Sequence, residues 1–299
     1  MRVVITGATG LIGTALGAAL ERDGTEVTRL VRRAPASVTE VRWDPRARAG
    51  GLDPAVLSGA DGVVHLSGAP IAGGRWSESR KQELLDSRVA STTALVQAIT
   101  AAPSSPPPVL LAGSAIGWYG DTGEREVDEA APAGSGFLPT LVRAWEAAAA
   151  PASAAGVRVV NLRTGIVLSG QGGMLGPLLP LFKLGLGARL GGGGQYLSWI
   201  AAADWVRAAR FLLDDGEIAG PVNLTAPAPV TNAEFTAALA RAVSRPALLR
   251  VPAVLLRTAL GEVSGELLGG ARVRPARLEQ AGFTFSYPAI GPALDAAVR

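Results

Sequence analysis

The stretch Thr6-Gly7-Ala8-Thr9-Gly10-Leu11-Ile12-Gly13 decides the fold of this chain. It follows the apolar run Arg2–Thr6, a predicted buried strand, and it opens a helical pattern over Leu11–Asp23. Gly7 would allow a tight turn, Gly10 would let a ligand approach the backbone, and Gly13 would let the helix pack on the strand. Three spaced glycines are a weak signal alone, but between a strand and a helix they indicate a dinucleotide site. The residues of this motif predicted to form the cofactor-binding site are Gly7, Thr9, Gly10, Leu11, Ile12 and Gly13.

The first 165 residues alternate short β-branched runs with longer helical patterns, which is typical of a parallel sheet covered by helices. The predicted strands are Arg2–Thr6, Glu26–Val31, Gly62–Leu66, Pro108–Gly113 and Val157–Arg163. The predicted helical stretches are Leu11–Asp23, Asp53–Leu57, Glu78–Ala101 and Gly136–Ala154. We therefore predict an α/β protein with a Rossmann-type doubly wound parallel sheet.

The regular alternation of strand and helix patterns ends after Gly165. Residues 170–194 are rich in glycine and end in the run Gly191–Gly194, so we predict a mobile loop region on the substrate side of the site. A strand over Gln195–Ile200, a helix over Asp204–Leu213 and a strand over Pro221–Leu224 would cap the sheet or extend its edge.

Thr231 and Glu234 have the spacing of a capping box at the start of a further helix. From residue 251 onward, short helical patterns are separated by prolines and glycines. We predict two units: a nucleotide-binding domain over residues 1–225, with loops in 166–199 on its substrate side, and a smaller α-rich C-terminal module over 226–299.

Composition limits the chemistry. Cysteine is absent and His65 is the only histidine, so disulfides and thiolate catalysis are excluded, and a histidine-based triad or metal site has almost no material. We expect no metal. The sequence opens on a strand without a basic-then-apolar leader, and Met174–Leu190 is broken by prolines and a lysine. We therefore expect a cytoplasmic protein with no membrane partner.

The net charge of +3 does not point to nucleic acid. All but two of the 28 basic residues are arginines, and they are dispersed among apolar residues rather than clustered. A nucleic-acid footprint needs a concentrated basic patch. We expect no nucleic-acid partner.

The end of the second strand indicates which dinucleotide binds. NAD-specific folds usually place Asp or Glu there to accept hydrogen bonds from the ribose hydroxyls. Here the strand runs into Val31-Arg32-Arg33, and we expect no carboxylate within reach of this strand end. Two guanidinium groups match a 2′-phosphate in charge and in fork geometry, which favours NADP(H). The alternative is that Arg32 and Arg33 form an ordinary solvated strand end.

The strand Gly62–Leu66 should carry Leu66, Ser67 and Gly68 to the same edge, beside the adenine ribose and pyrophosphate. Small residues there would let the backbone come close to the ligand. We interpret His65 as a core or strand-end histidine rather than a catalytic one.

Several motifs together resemble the extended short-chain dehydrogenases/reductases, and in particular their atypical "epimerase family" branch. The resemblance covers the whole chain, including a C-terminal domain of unknown function. It rests on the glycine spacing, Leu66–Ala69, Arg75-Trp76, Ser87-Arg88, Ser114, Tyr119-Gly120, Trp145-Glu146, Leu162–Leu168, Leu184–Gly187, Ser198-Trp199-Ile200 and Pro229–Phe235.

This resemblance implies an NADP(H) pocket and a small-molecule or nucleotide-linked substrate. A solvent-facing role for Glu83 stays open, whereas Arg88 could reach a ribose or phosphate. Arg163 is a further candidate for cofactor contact. The residues implied at the pocket are Val31, Arg32, Leu66, Ser67, Glu83, Arg88 and Val167.

The chain departs from the wider superfamily at its catalytic residues. Active members use Tyr-x-x-x-Lys, but no tyrosine here is followed by lysine four residues later. Ser114 and Tyr119 are the candidate catalytic residues, although Tyr119 could simply pack at a strand end. Arg75, Lys81 and Arg163 are further candidates for replacement chemistry.

Two interpretations follow. One is an oxidoreductase or epimerase with non-standard acid/base groups, and the other is a non-catalytic NADP(H)-sensing or regulatory protein. The protein would be a monomer or a homodimer.

Overall fold

A computed structural model describes residues 1–47, 50–71, 74–102 and 106–299. The strands are β1 Arg2–Thr6, β2 Glu26–Val31, β3 Glu40–Arg42, β4 Gly62–His65, β5 Val109–Ala115, β6 Glu126–Val127, β7 Arg158–Thr164, β8 Ile166–Ser169, β9 Gly172–Gly173, β10 Ala188–Leu190, β11 Tyr196–Leu197, β12 Trp199–Ala201, β13 Gly220–Leu224, β14 Val230–Thr231, β15 Leu249–Val251 and β16 Arg272–Val273. The helices are α1 Leu11–Arg22, α2 Glu78–Thr100, α3 Phe137–Ala149, α4 Leu175–Lys183, α5 Ala202–Asp214, α6 Asn232–Ala242, α7 Ala253–Leu260, α8 Val263–Leu268, α9 Ala276–Gln280 and α10 Ile290–Val298. Short 3₁₀ turns cover Pro54–Leu57, Ile116–Tyr119 and Ala150–Ala155.

Seven parallel strands form the central sheet in the order β13-β7-β5-β4-β1-β2-β3. The chain leaves β1 toward one edge through β2 and β3, and then returns to build the other half from β4 to β13. The strand order therefore reverses between β1 and β4, where open α/β sheets bind their ligands. This confirms the predicted Rossmann-type α/β fold, and β13 extends the sheet edge as expected.

Successive side chains of each strand point to opposite faces of the sheet, so an apolar core lies on each face. Val3 and Ile5 pack on the face covered by α1 and α5, while Val4 packs on the face covered by α2. All three side chains are fully buried. A strand buried on both faces is apolar throughout, which explains the unbroken apolar runs seen in the sequence.

The region over residues 170–194 corrects one prediction. It contains α4 rather than only loop, because Leu175, Leu179 and Phe182 recur at helical spacing and are buried. The glycines and prolines around these residues made the helical spacing of the apolar side chains hard to recognise in the sequence. Strand β3 was also not predicted, since it is only three residues long.

The remaining short strands pair in small sheets of two or three strands. The predicted strand over Gln195–Ile200 is two short strands in different sheets, with β11 pairing β14 and β12 pairing β8. Thr231 and Glu234 form the predicted capping box before α6. A separate apolar cluster joins residues of α4, α6 and α10. Within the residues described, no helix is both long and apolar enough to cross a membrane.

Candidate functional site

A cleft of about 790 Å³ opens at the carboxyl ends of the strands, where the sheet order reverses. Its walls come from the β1–α1 turn, the end of β2, the loop after β4 and one face of α2. The lining contains ten residues predicted from the sequence: Gly7, Thr9, Gly10, Val31, Arg32, Arg33, Leu66, Ser67, Gly68 and Glu83.

The glycines of the first turn meet different steric demands. Gly7 has a φ of +67°, a left-handed conformation that favours glycine. A Cβ atom on Gly13 would lie 2.3 Å from the Gly7 carbonyl oxygen, so this glycine allows α1 to pack on the turn. A Cβ on Gly10 would contact only that same carbonyl oxygen, at 3.3 Å, and would otherwise extend into open space. Gly10 therefore leaves the cleft open at the start of α1.

The start of α1 is suited to an anion. Gly10 is the N-cap residue, none of the described side chains caps the helix, and its first turn has no acidic residue. The first amides of a helix lack intrahelical partners and carry the positive end of its dipole. A phosphate at this position would satisfy both.

Arginines surround the far end of the cleft. Arg32, Arg33 and Arg46 all line it, and Arg46 was not among the residues predicted. The expectation that no carboxylate lies near this strand end was wrong, because Glu40 of β3 makes two hydrogen bonds to Arg33, at 2.6 and 2.7 Å. Among the described residues, the guanidinium groups of Arg32 and Arg46 make no ion pair. They remain available to a phosphate.

Arg88 supports the cleft wall from behind. Its guanidinium donates to the carbonyl oxygens of Leu84 and Ala69, each at 3.0 Å, and stacks over the Trp145 ring. Burial lowers the pKa of Arg88 to about 10, with the nearby Arg80 adding to the effect. Gly68 lies directly against this side chain. Arg88 thus holds the loop after β4 rather than lining the cleft.

Glu83 faces the cleft but is partly engaged. Its carboxylate forms an ion pair with Arg80 at 2.6 Å. Four further predicted residues lie outside the cleft lining, namely Leu11, Ile12, Gly13 and Val167. Leu11 and Ile12 face a groove between α1 and α5, and Val167 of β8 packs against the core beside them.

His65 is a core residue, as predicted. It is fully buried, and its ring nitrogens lie 2.7 Å from Thr6 Oγ1 and 3.0 Å from Thr92 Oγ1. The Leu66 amide donates to Thr6 Oγ1 and Thr92 Oγ1 donates to the Arg88 carbonyl oxygen, so these contacts fit a neutral ring. Burial lowers the pKa of His65 to about 3. Its role is to tie β1, β4 and α2 together below the cleft.

A second polar cluster is buried across β5, β7 and α3. The Ser114 hydroxyl donates to Glu146 Oε1 at 2.6 Å, and Arg163 holds the same carboxylate through two hydrogen bonds, at 2.8 and 3.0 Å. Ser114 and Arg163 are neighbours in the sheet register, which places them together. Ser114 is 4% exposed and Arg163 2%. Arg163 therefore serves this cluster and does not line the cleft.

Tyr119 joins the cluster from the 3₁₀ turn after β5. Its hydroxyl donates to Asn223 Oδ1 at 2.7 Å and accepts from Arg163 at 3.2 Å. Burial raises the pKa of Tyr119 to about 12. A phenol held in this way is a poor proton donor at neutral pH, so the placement favours the packing role left open above.

Glu146, Asn223 and Arg46 take part in these sites but were not predicted from their own chemistry. Glu146 was noted only within the Trp145-Glu146 motif. The structure shows what that pair does: Trp145 donates to Thr92 and stacks on Arg88 at the cleft wall, while Glu146 receives Ser114. The two residues connect the cleft wall with the buried cluster.

Arg75 and Lys81 make contacts with the C-terminal helices instead of lining the cleft. Arg75 donates to the carbonyl oxygens of Thr258 and Ala259 at the end of α7, and Lys81 pairs with Glu262 at 2.5 Å. These contacts tie the start of α2 to the C-terminal helices. Neither side chain is placed to replace a catalytic lysine.

Known proteins resemble this chain in sequence and in fold. The sequence profile of the NAD dependent epimerase/dehydratase family matches residues 3–224, and that of a domain of unknown function, DUF1731, matches residues 251–297. Epimerase family protein MT2273 of Mycobacterium tuberculosis is 51% identical over 293 residues, which cover 98% of this chain and 96% of that protein. Human epimerase family protein SDR39U1 is 36% identical over 299 residues, covering 98% of each chain.

Solved structures show the same likeness. The structure of human SDR39U1 (isoform2) with NADPH has a TM-score of 0.90 and 34% identity, and the match covers 100% of this chain and 99% of that one. A nucleoside-diphosphate sugar epimerase from Corynebacterium glutamicum has a TM-score of 0.81 and 36% identity, over 100% of this chain and 58% of that one. Fold, motifs and sequence agree over the full length. This chain belongs to the NAD dependent epimerase/dehydratase family, among the short-chain dehydrogenase/reductase-like proteins named epimerase family protein.

Proposed function

We propose that the cleft binds NADP(H) and that the protein is an NADP(H)-dependent oxidoreductase or epimerase. The observation that carries this proposal is the cleft itself. It joins an uncapped helix start at Gly10 to an end lined by Arg32, Arg33 and Arg46. A dinucleotide has a pyrophosphate for the first and, in NADP(H), a 2′-phosphate for the second. The relative crystallised with NADPH supports this choice.

The residues present fit the cofactor sterically. Gly10 leaves space above the first turn of α1, and the loop with Ser67 and Gly68 borders the same space. Val31 and Leu66 provide apolar walls. When bound, NADP(H) supplies or accepts a hydride; the chain itself must position the substrate and move the proton.

For the proton we propose Ser114 and Glu146. The hydroxyl proton of Ser114 points at Glu146, so its lone pairs are free to accept. During oxidation of a substrate alcohol, the substrate proton would pass to Ser114 Oγ while the Ser114 proton passes to Glu146. In the reverse direction Glu146 would return it. Arg163 and Tyr119 hold this pair in place.

The substrate class is a small or nucleotide-linked carbonyl or alcohol. The likeness to a nucleoside-diphosphate sugar epimerase supports a nucleotide-linked substrate. We also propose that residues 1–225 form the nucleotide-binding domain and residues 226–299 a smaller module on the substrate side.

A non-catalytic NADP(H)-sensing role is the second candidate. The observation that favours it is that Tyr119 and Arg163 are buried and fully engaged with each other and with Glu146 and Asn223. A closed network of this kind can serve structure alone.

A substrate screen separates the two candidates. Carbonyl compounds and nucleotide sugars are incubated with the protein and NADPH, and cofactor oxidation is followed by absorbance. Epimerisation of nucleotide sugars is followed separately by chromatography, since it need not consume the cofactor. Turnover of any compound that is lost on Ser114→Ala supports the enzyme. Tight NADPH binding with no turnover in either assay supports the sensing role.

A further inference from the structure

The run Gly191–Gly194 has a structural purpose that the cofactor site does not explain. It is held by backbone hydrogen bonds, from the Gly191 amide to the Val251 carbonyl oxygen and from the Gly193 amide to the Leu190 carbonyl oxygen. Gly193 has a φ of +79°, and a Cβ there would lie 2.3 Å from Cδ of Arg189. The glycine run therefore packs closely against the aliphatic part of the Arg189 side chain.

Arg189 lies beside a second arginine. Strands β10 and β15 are parallel, and their register pairs Arg189 with Arg250, which puts both side chains on one face. Two like charges in this position repel each other. Arg250 Nε donates to the Gly191 carbonyl oxygen at 2.6 Å, whereas Arg189 Nε is buried without a hydrogen-bond partner among the described residues.

Arg189 and Arg250 line a groove of about 810 Å³ between α6 and the segment over residues 244–250. Arg241 and Arg245 complete a set of four guanidinium groups, and the lining includes no Asp or Glu within the described part of the chain. The rest of the lining is mostly small or apolar, including Ala233, Ala237, Ala240, Ala247, Leu248 and Leu249.

We propose that this groove is a second anion site, which binds a soluble organic phosphate. Phosphate oxygens only accept hydrogen bonds, and they match adjacent guanidinium forks in charge and geometry. The alanines and leucines would contact the organic part of the ligand. The groove volume of about 810 Å³ is in the range of small-ligand sites, so we assign it a soluble ligand. Among the residues that the structure describes, the groove and the cofactor cleft have no lining residue in common.

The experiment is a calorimetric titration with pyrophosphate on protein saturated with NADPH, at fixed ionic strength. We expect binding to the wild type, and at least a tenfold loss of affinity in the double variant Arg189→Gln/Arg250→Gln. Arg143→Gln removes an equivalent exposed charge from α3 and should leave the affinity unchanged. Arg189→Lys should weaken binding, because it keeps the charge but loses the fork.

Two further measurements keep the test decisive. If the double variant fails to fold, Arg241→Gln on α6 should still weaken pyrophosphate binding by about threefold or more, since it removes one of four phosphate-facing charges. Sedimentation with phosphatidylcholine vesicles containing phosphatidic acid tests a lipid headgroup instead. Equal pyrophosphate affinity in wild type and double variant overturns the proposal, as does vesicle binding without pyrophosphate binding.

Discussion

At the scale of single residues, neighbouring side chains have separate tasks. Arg33 is held by Glu40, while Arg32 faces the cleft and makes no ion pair among the described residues. Trp145 contacts the cleft wall and Glu146 the buried cluster. These differences depend on the direction in which each side chain points. The sequence alone could therefore not distinguish the roles of the two neighbours in each pair.

His65 should make the stability of the protein depend on pH. Its pKa is lowered to about 3 in the folded state by burial, against 6.5 for the exposed group. Between these values the unfolded chain binds a proton that the folded chain does not, so stability falls as the pH drops through that range. We expect about 2 kcal/mol less stability at pH 5 than at pH 7.5 from this residue alone.

Urea unfolding of the wild type and of His65→Gln at both pH values measures this effect. His65 is the only histidine, so the difference between the two proteins isolates it from carboxylate titration. The variant should lose less stability than the wild type on acidification. Parallel pH profiles would show that His65 titrates normally.

Ser114 carries the catalytic part of the proposal. Replacement by alanine removes the hydroxyl between the substrate and Glu146, and should lower turnover by about one to three orders of magnitude. NADPH affinity should change little, because Ser114 does not line the cleft. Steady-state kinetics with a substrate from the screen, together with NADPH titration, measures both. Full activity in Ser114→Ala would move the acid/base role elsewhere.

At the scale of elements, we expect a substitution in the β1–α1 turn to abolish NADPH binding. Gly10 has a φ of −77°, which a branched residue can adopt, and it lines the cleft with only the Gly7 carbonyl oxygen near its Cβ position. We expect Gly10→Val to fold normally and to lose NADPH binding, because the side chain would fill the space needed by the pyrophosphate. Circular dichroism checks the fold and fluorescence titration checks the binding. Normal NADPH affinity in a folded variant would mean that the turn is only structural.

The elements themselves show what a sequence can and cannot predict. Strands β1 and β2 were predicted to the residue, because their apolar runs end at clear turn signals. Helix α4 was missed, since its glycines and prolines suggested a loop while Leu175, Leu179 and Phe182 were packing on a separate core. Strand β3 is held by pairing with β2, which no local pattern of three residues can indicate.

At the scale of the whole molecule, the fold was predictable and the buried cluster was not. Alternating strands and helices were enough for the Rossmann-type sheet and for the cleft at its point of reversal. The cluster joins Ser114, Arg163 and Asn223 through the register of three strands. That register depends on packing across the entire sheet, so the spacing of these residues along the chain could not indicate the cluster.

The central claim is that the cleft is built for NADP(H), and titration with NADPH and NADH tests it most directly. The wild type should bind NADPH more tightly, and Arg32→Ala should lose about 10- to 150-fold of that affinity, the equivalent of about 1.5–3 kcal/mol for a charge-assisted hydrogen bond. Arg42→Ala, an exposed arginine of β3 outside the cleft lining, is the matched control and should bind as the wild type does. Equal affinity for the two nucleotides, or indifference to Arg32→Ala, would contradict the account.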